Sequence, residues 1–254
     1  MKIVFFGTPE FVTPVLQTLE KNFEVLKAFR NPKELTNEEI EKLKSSEPDV
    51  FVVASFGKIF SKEFLEIPKF GSINIHPSLL PKYRGTTPVQ TAILNGDKTT
   101  GVTIIKMDGK IDHGPILAQK EVEIFPNETA PELLQRLFQI SAEMLPDVLS
   151  NYIKEPSSVS EQEHEKATFT RILKKESGRI DTDNPPTRER LNNMINAFYP
   201  WPGVWTIFNG KIVKFLPEEK IQVEGKNPMS YKDFVNGYEE GQDLLEKVNL
   251  QSTS

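Results

Sequence analysis

Cysteine is absent from this 254-residue chain, which excludes disulfides, thiolate nucleophiles and cysteine metal sites. Histidine is scarce. The three present, His76, His113 and His164, are too scattered for metal-ligand spacing, so no metal is expected. No apolar run approaches the roughly 18 residues of a membrane span. The opening Met1-Lys2-Ile3-Val4-Phe5-Phe6-Gly7 is too short for a signal peptide and lacks a small-residue cleavage site. It reads as a buried first strand. These absences predict a cytoplasmic protein with no membrane partner. A glycine-rich phosphate loop is also missing. Gly7 stands alone, Pro9 removes an amide from the following helix start, and Glu10 puts negative charge there. Phosphate wants free amides and no competing carboxylate, so a dinucleotide is not expected. The plainer reading of Glu10, a carboxylate complementing the helix dipole, is the favoured one. The net charge of −5 argues against broad non-specific nucleic-acid binding.

What is present is globular: 37% hydrophobic and 26% charged residues. Strand-like runs at 2–6, 23–29, 50–54 and 72–75 alternate with helical patterns. Phe11, Val12, Val15, Leu16 and Leu19 recur at helical spacing, and Thr36 with Glu39 has capping-box spacing. Strands alternating with helices predict an α/β fold with βαβ units and a mainly parallel sheet, whose ligands sit beyond the carboxyl ends of the strands. Two further strands, 102–107 and 115–124, flank a turn carrying Asp108, Gly109, Asp112 and Gly114. A long helix is expected over 131–152. Lys154-Glu155-Pro156-Ser157-Ser158 then reads as a linker, which sets domain limits at 1–153 and 154–254. Beyond it come a helix over 186–198 and a hairpin around Asn209-Gly210. The stretch 229–248 is expected to be a polar, weakly packed helical tail.

The densest chemistry lies in Asn74-Ile75-His76, followed at once by Pro77-Ser78-Leu79-Leu80-Pro81-Lys82-Tyr83-Arg84-Gly85. In an extended segment residues i and i+2 share a face, so Asn74 and His76 project side by side at a strand end. An amide donor beside an imidazole can stabilise an oxyanion and move a proton. Asp112 supplies a third polar group. With no cysteine and no serine elbow, the three suggest direct acyl transfer without a covalent intermediate. Each residue also has a plainer reading. A lone histidine is more often structural, and Asp112 and Asp108 are ordinary turn residues. His113 and His164 read as surface residues, and Trp201-Pro202-Gly203-Val204-Trp205 reads as core packing. Between 166 and 214 nine Lys/Arg face four Asp/Glu, which is either a phosphate-contacting face or a solvated surface.

The run 74–81, with Asp112-His113-Gly114 after it, resembles the 10-formyltetrahydrofolate-dependent formyltransferases. Gly7-Thr8-Pro9-Glu10-Phe11, Thr100-Gly101-Val102-Thr103-Ile104 and Tyr199-Pro200-Trp201-Pro202-Gly203 are similar to the branch that formylates methionyl-tRNA. The resemblance implies a Rossmann-like catalytic domain and a small C-terminal β-rich domain related to OB folds. It implies 10-formyltetrahydrofolate as co-substrate, initiator methionyl-tRNA as partner, and a monomer. By motif position it makes Asn74, His76 and Asp112 the catalytic trio and sets Ser78, Leu79, Leu80 and Pro81 beside the folate. Phe56, Gly57, Ile59 and Met107 would wall the pterin. Asn74 and protonated His76 would hold the oxyanion, with Asp112 orienting His76 or a water that moves the proton. Two departures stand out: the long basic insertion usual after the second strand is missing, and the C-terminal region is short. Amino-sugar N-formylation is therefore the nearest rival. Glycinamide ribonucleotide formylation and a catalytically silent RNA- or nucleotide-binding module rank lower.

Overall fold

A computed structural model describes residues 1–250. Within them the chain forms two compact units, one of residues 1–88, 99–123 and 134–170, the other of residues 89–98, 124–133 and the chain from 171 onward.

The first unit is built on a six-stranded sheet. Its elements begin β1 (Lys2–Phe6), α1 (Thr13–Asn22), β2 (Glu24–Phe29), α2 (Asn37–Ser45), β3 (Val50–Val53), α3 (Lys62–Leu65) and β4 (Ser72–His76). Next, α4 (Pro88–Asn95) belongs to the other unit, and then come β5 (Thr99–Lys106), β6 (Ile116–Glu123) and the long α5 (Ala130–Lys154), most of which lies in this unit and its first turn in the other. The strand order is β2-β1-β3-β4-β5-β6. The first four strands run parallel, and β5 and β6 are antiparallel additions.

The period-2 rule explains both cores. Ile3 and Phe5, Val50 and Val52, and Ile73 and Ile75 point to one face, against Val15 and Leu19 of α1 and Phe138, Leu145 and Leu149 of α5. Val4, Phe6, Phe51 and Val53 point to the other, among Leu43, Phe56, Phe60 and Phe64. Strands buried on both faces need continuous apolar runs, as Ile3–Phe6 and Val50–Val53 supply. Each large side chain fully buried there contributes about 1.5–3 kcal/mol over its exposed state. Thr36 caps α2 by accepting from the Glu39 N–H at 3.3 Å, as its spacing predicts.

The second unit holds α6 (Arg188–Phe198), β7 (Val204–Phe208), β8 (Lys211–Leu216), β9 (Lys220–Val223), β10 (Met229–Ser230), α7 (Tyr231–Gly237) and α8 (Gly241–Lys247). The four strands form an antiparallel sheet in the order β10-β9-β8-β7. Asn209 and Gly210, with φ of 48° and 74°, make the left-handed turn that joins β7 to β8. Two expectations need correction here. The stretch 229–248 is a two-residue strand followed by two short helices, and it is not weakly packed: Phe234, Leu245 and Val248 are fully buried. Its apolar residues are few, yet they are the ones buried in the two short helices α7 and α8. The tryptophan pair also divides, with Trp205 buried and Trp201 57% exposed.

Candidate active site

Strand β4 delivers the first two candidates. Ile73 and Ile75 are committed to the core, so Ser72, Asn74 and His76 must share the opposite face. His76 is 4% exposed and lies opposite Thr103 of β5 in the sheet register. Asp112 reaches them from the loop joining β5 to β6. Its Oδ1 accepts from Asn74 Nδ2 at 3.2 Å. Its Oδ2 accepts from the Gly85 N–H at 2.8 Å and lies 3.4 Å from His76 Nδ1. The three candidates thus converge on one carboxylate.

The imidazole is doubly engaged. His76 Nε2 lies 2.9 Å from the Tyr83 carbonyl. A carbonyl only accepts, so Nε2 carries a proton and donates it. Nδ1 is left facing Asp112: it can accept there when the carboxyl carries a proton, and it donates to the carboxylate when the ring is doubly protonated. Neither nitrogen is aimed at open solvent, which differs from the freestanding oxyanion donor the motif alone suggests.

Asp112 has a φ of +45°, the left-handed region that Asp and Asn tolerate better than most residues. Two residues on, Gly114 approaches so closely that a Cβ there would come within 1.7 Å of the Lys106 carbonyl oxygen. Neighbouring Asp108 is exposed and donates nothing to the trio. Its carboxylate binds His113 Nδ1 at 2.5 Å and the Lys110 N–H at 3.0 Å. Partial burial works to raise its pKa, but these two hydrogen bonds and the His113 and Lys110 charges outweigh it and hold the carboxyl below its ordinary value.

The Ser78–Pro81 loop is pinned to the sheet by Thr103, which sequence reasoning assigned no role. Its hydroxyl donates to the Ser78 carbonyl at 2.6 Å and accepts from the Leu80 N–H at 3.1 Å. Gln119 Nε2 adds bonds to the Leu80 carbonyl at 2.9 Å and to Thr103 Oγ1 at 2.8 Å. Ser78 is fully buried, its hydroxyl donating to the Lys82 carbonyl at 2.7 Å. Of the other folate candidates, Met107 is half-buried, Gly57 is exposed and Ile59 is 85% exposed. Phe56 is 2% exposed and packs on Phe6 and Phe60.

More than half of the chain, residues 10–149, matches the formyl transferase model, and residues 172–219 match the formyl transferase C-terminal domain. A methionyl-tRNA formyltransferase of Caldanaerobacter subterraneus subsp. tengcongensis is 36% identical over 261 aligned residues, covering 90% of this chain and 84% of its own. The chain belongs to the formyl transferase family. Its fold is that of solved relatives. A methionyl-tRNA formyltransferase from Clostridium thermocellum superposes with a TM-score of 0.71 at 23% identity, over 90% of this chain and 98% of that one. HypX from Aquifex aeolicus, solved with tetrahydrofolic acid, gives 0.73 at 17% identity; the match covers 88% of this chain but 42% of HypX.

Two residues of this candidate site escaped the sequence reading. Arg84 is 3% exposed and Gln162 is 5% exposed. Gln162 lies just beyond the stretch read as a linker, with no local pattern to mark it. The same is true of the histidines read as surface residues. His113 and His164 stack at 4.0 Å, and His164 Nδ1 accepts from Arg84 Nη2 at 2.9 Å. Periodicity carries no information about such contacts, because they join residues 50 to 80 positions apart.

In the second unit, part of the basic segment gathers around one aromatic ring. Lys175 Nζ and the Arg179 guanidinium lie 5.6 and 5.8 Å from the Trp205 ring centre. Lys174, Lys175 and Arg179 are all exposed. Lys166, by contrast, belongs to the first unit and pairs with Glu163 at 2.5 Å.

Proposed function

We propose that the chain transfers the formyl group of 10-formyltetrahydrofolate to the amino group of initiator methionyl-tRNA. The observation that carries this reading is the convergence of Asn74, His76 and Gly85 N–H on Asp112 at the end of a buried strand. The 36% identity to a methionyl-tRNA formyltransferase over most of both chains supports the acceptor.

The chemistry follows from the geometry. The acceptor amine attacks the formyl carbon; a C–N bond forms, and the carbonyl oxygen becomes an oxyanion. Asn74 uses one amide hydrogen on Asp112, which leaves the second to stabilise that oxyanion. Asp112 takes the proton released by the amine. His76, its Nε2–H held on the Tyr83 carbonyl, presents Nδ1 to share that proton across 3.4 Å. The proton ends on the departing folate nitrogen as the old C–N bond breaks, so charge and atoms balance. Ser78, Leu79, Leu80 and Pro81 form the wall beside the folate, stiffened by Thr103 and Gln119. Gly57, Ile59 and Met107 complete the pterin side, with Phe56 behind them in the core.

Met-tRNA must be held largely through its phosphates. In the absence of the basic insertion, those contacts fall to Lys174, Lys175 and Arg179. Each phosphate neutralised contributes about −0.9 to the slope of log K against log salt for duplex nucleic acid. Reversing the three residues to Glu should raise KM for Met-tRNA and flatten its salt dependence, with folate binding unchanged. Salt-insensitive kinetics, unaffected by the reversal, would instead favour an amino-sugar acceptor. The domain limit at residue 153/154, a cytoplasmic site of action and a monomeric state complete the proposed description.

A further inference from the structure

The segment that follows α5 returns to the active site, where the Gln162 side chain binds the backbone of the Asp112 loop. Gln162 Nε2 donates to the main-chain carbonyl of Asp112 at 2.9 Å and to that of Gly114 at 2.7 Å. Gln162 Oε1 accepts from Arg84 Nε at 3.2 Å and from Arg84 Nη2 at 2.6 Å. Carbonyls only accept and a guanidinium only donates, so the amide can sit in one orientation alone. All four of its hydrogen-bonding positions are used, and the side chain is buried. Arg84 in turn precedes Gly85, whose N–H holds Asp112 Oδ2. Asp112 is thus held twice: Gln162 binds its backbone carbonyl, and the N–H of the residue next to Gln162's partner binds its carboxylate.

Resting on the formyl-transfer reading above, we propose that Gln162 is a positioning residue for the reaction. It locks the 112–114 backbone, so that the Asp112 carboxylate meets Asn74 and His76 in the reactive pose. The structural alternative is that Gln162 merely satisfies buried Arg84. The two roles separate by chemistry, because the donors serve Asp112 and the acceptor serves Arg84. Gln162→Glu keeps the acceptor toward Arg84 and deletes both donors.

The test measures formyl transfer by the full chain in five proteins: wild type, Gln162→Glu, Gln162→Met, Asp112→Asn and the Gln162→Glu/Asp112→Asn double variant. Melting curves identify any variant that fails to fold. A loop displaced by about 1 Å costs on the order of 10²-fold. Gln162→Glu should therefore lower kcat by about 10- to 100-fold, with KM for the folate changed less than about twofold. In the Asp112→Asn background the same change should cost less than about threefold, because the group being positioned is already disabled. Wild-type turnover by Gln162→Glu, or an undiminished loss in the Asp112→Asn background, overturns the positioning role while leaving formyl transfer intact. Full activity of Asp112→Asn overturns the catalytic trio itself, and the positioning role with it. If Gln162→Met alone unfolds, the Glu variant still decides between these outcomes.

Discussion

Replacing Asp112 by Asn isolates the carboxylate from the backbone that presents it. Asn tolerates the +45° φ of this position as well as Asp does, so the loop should keep its course. The hydrogen bonding cannot survive unchanged. In the native site one oxygen accepts from Asn74 and the other accepts from Gly85. An amide has one accepting oxygen and one donating nitrogen. Whichever way it turns, an N–H meets another N–H, at a cost of about 1–3 kcal/mol. For a chain of this size each kcal/mol lowers Tm by about 2–4 °C, so the variant should remain folded at 25 °C. Catalysis should suffer more. Loss of a general base typically costs about 10²–10⁴ in rate, or about 2.7–5.4 kcal/mol at roughly 1.36 per tenfold. The assay is kcat at saturating folate and acceptor, with Tm measured in parallel. Asp108→Asn is the matched control, since the Asp108 carboxylate is hydrogen-bonded to His113 and to its own turn rather than to Asn74 or His76; its kcat should stay within about threefold, as expected of a residue outside the reacting set. An Asp112→Asn protein retaining more than about a tenth of wild-type kcat, or a larger loss for Asp108→Asn, would refute the assignment.

Asn74→Ala and His76→Ala should each lower kcat by about 10²–10⁴, the range for oxyanion donors and proton-transfer groups; near-normal turnover in either removes the mechanism. Chelators, NAD and ATP should leave the rate unchanged, since the chain has no thiols and no group of three ligating side chains among the described residues; a chelator-sensitive rate contradicts the site as drawn. Reversal of Lys174, Lys175 and Arg179 should raise KM for Met-tRNA without altering kcat at low salt. An unchanged KM moves the acceptor to another face.

The elements were legible because their signals are local. The runs 2–6 and 50–54 read as strands, Thr36 and Glu39 mark a helix start, and Asn209-Gly210 marks a hairpin. The shared face of Asn74 and His76 followed from strand geometry alone. Asp112 did not: its residue type fits any turn, and motif resemblance singled it out over Asp108. Thr103, Arg84 and Gln162 were illegible for a different reason. Each acts through a buried hydrogen bond to a carbonyl or amide distant in sequence, and such bonds leave no periodic trace. The tail 229–248 misled because its mean polarity hides a few buried apolar residues, Phe234 in α7, Leu244 and Leu245 in α8, and Val248 after it.

The central claim is the pairing of formyl chemistry with a tRNA acceptor. The most direct measurement incubates the full chain with 10-formyltetrahydrofolate and either charged initiator Met-tRNA or a nucleotide-linked amino sugar, scoring N-formyl product by mass. Rapid formylation of Met-tRNA, with none of the sugar and none by His76→Ala, is the result predicted. Formylation of the sugar with Met-tRNA untouched would contradict the acceptor, and no formyl product from either would contradict the chemistry.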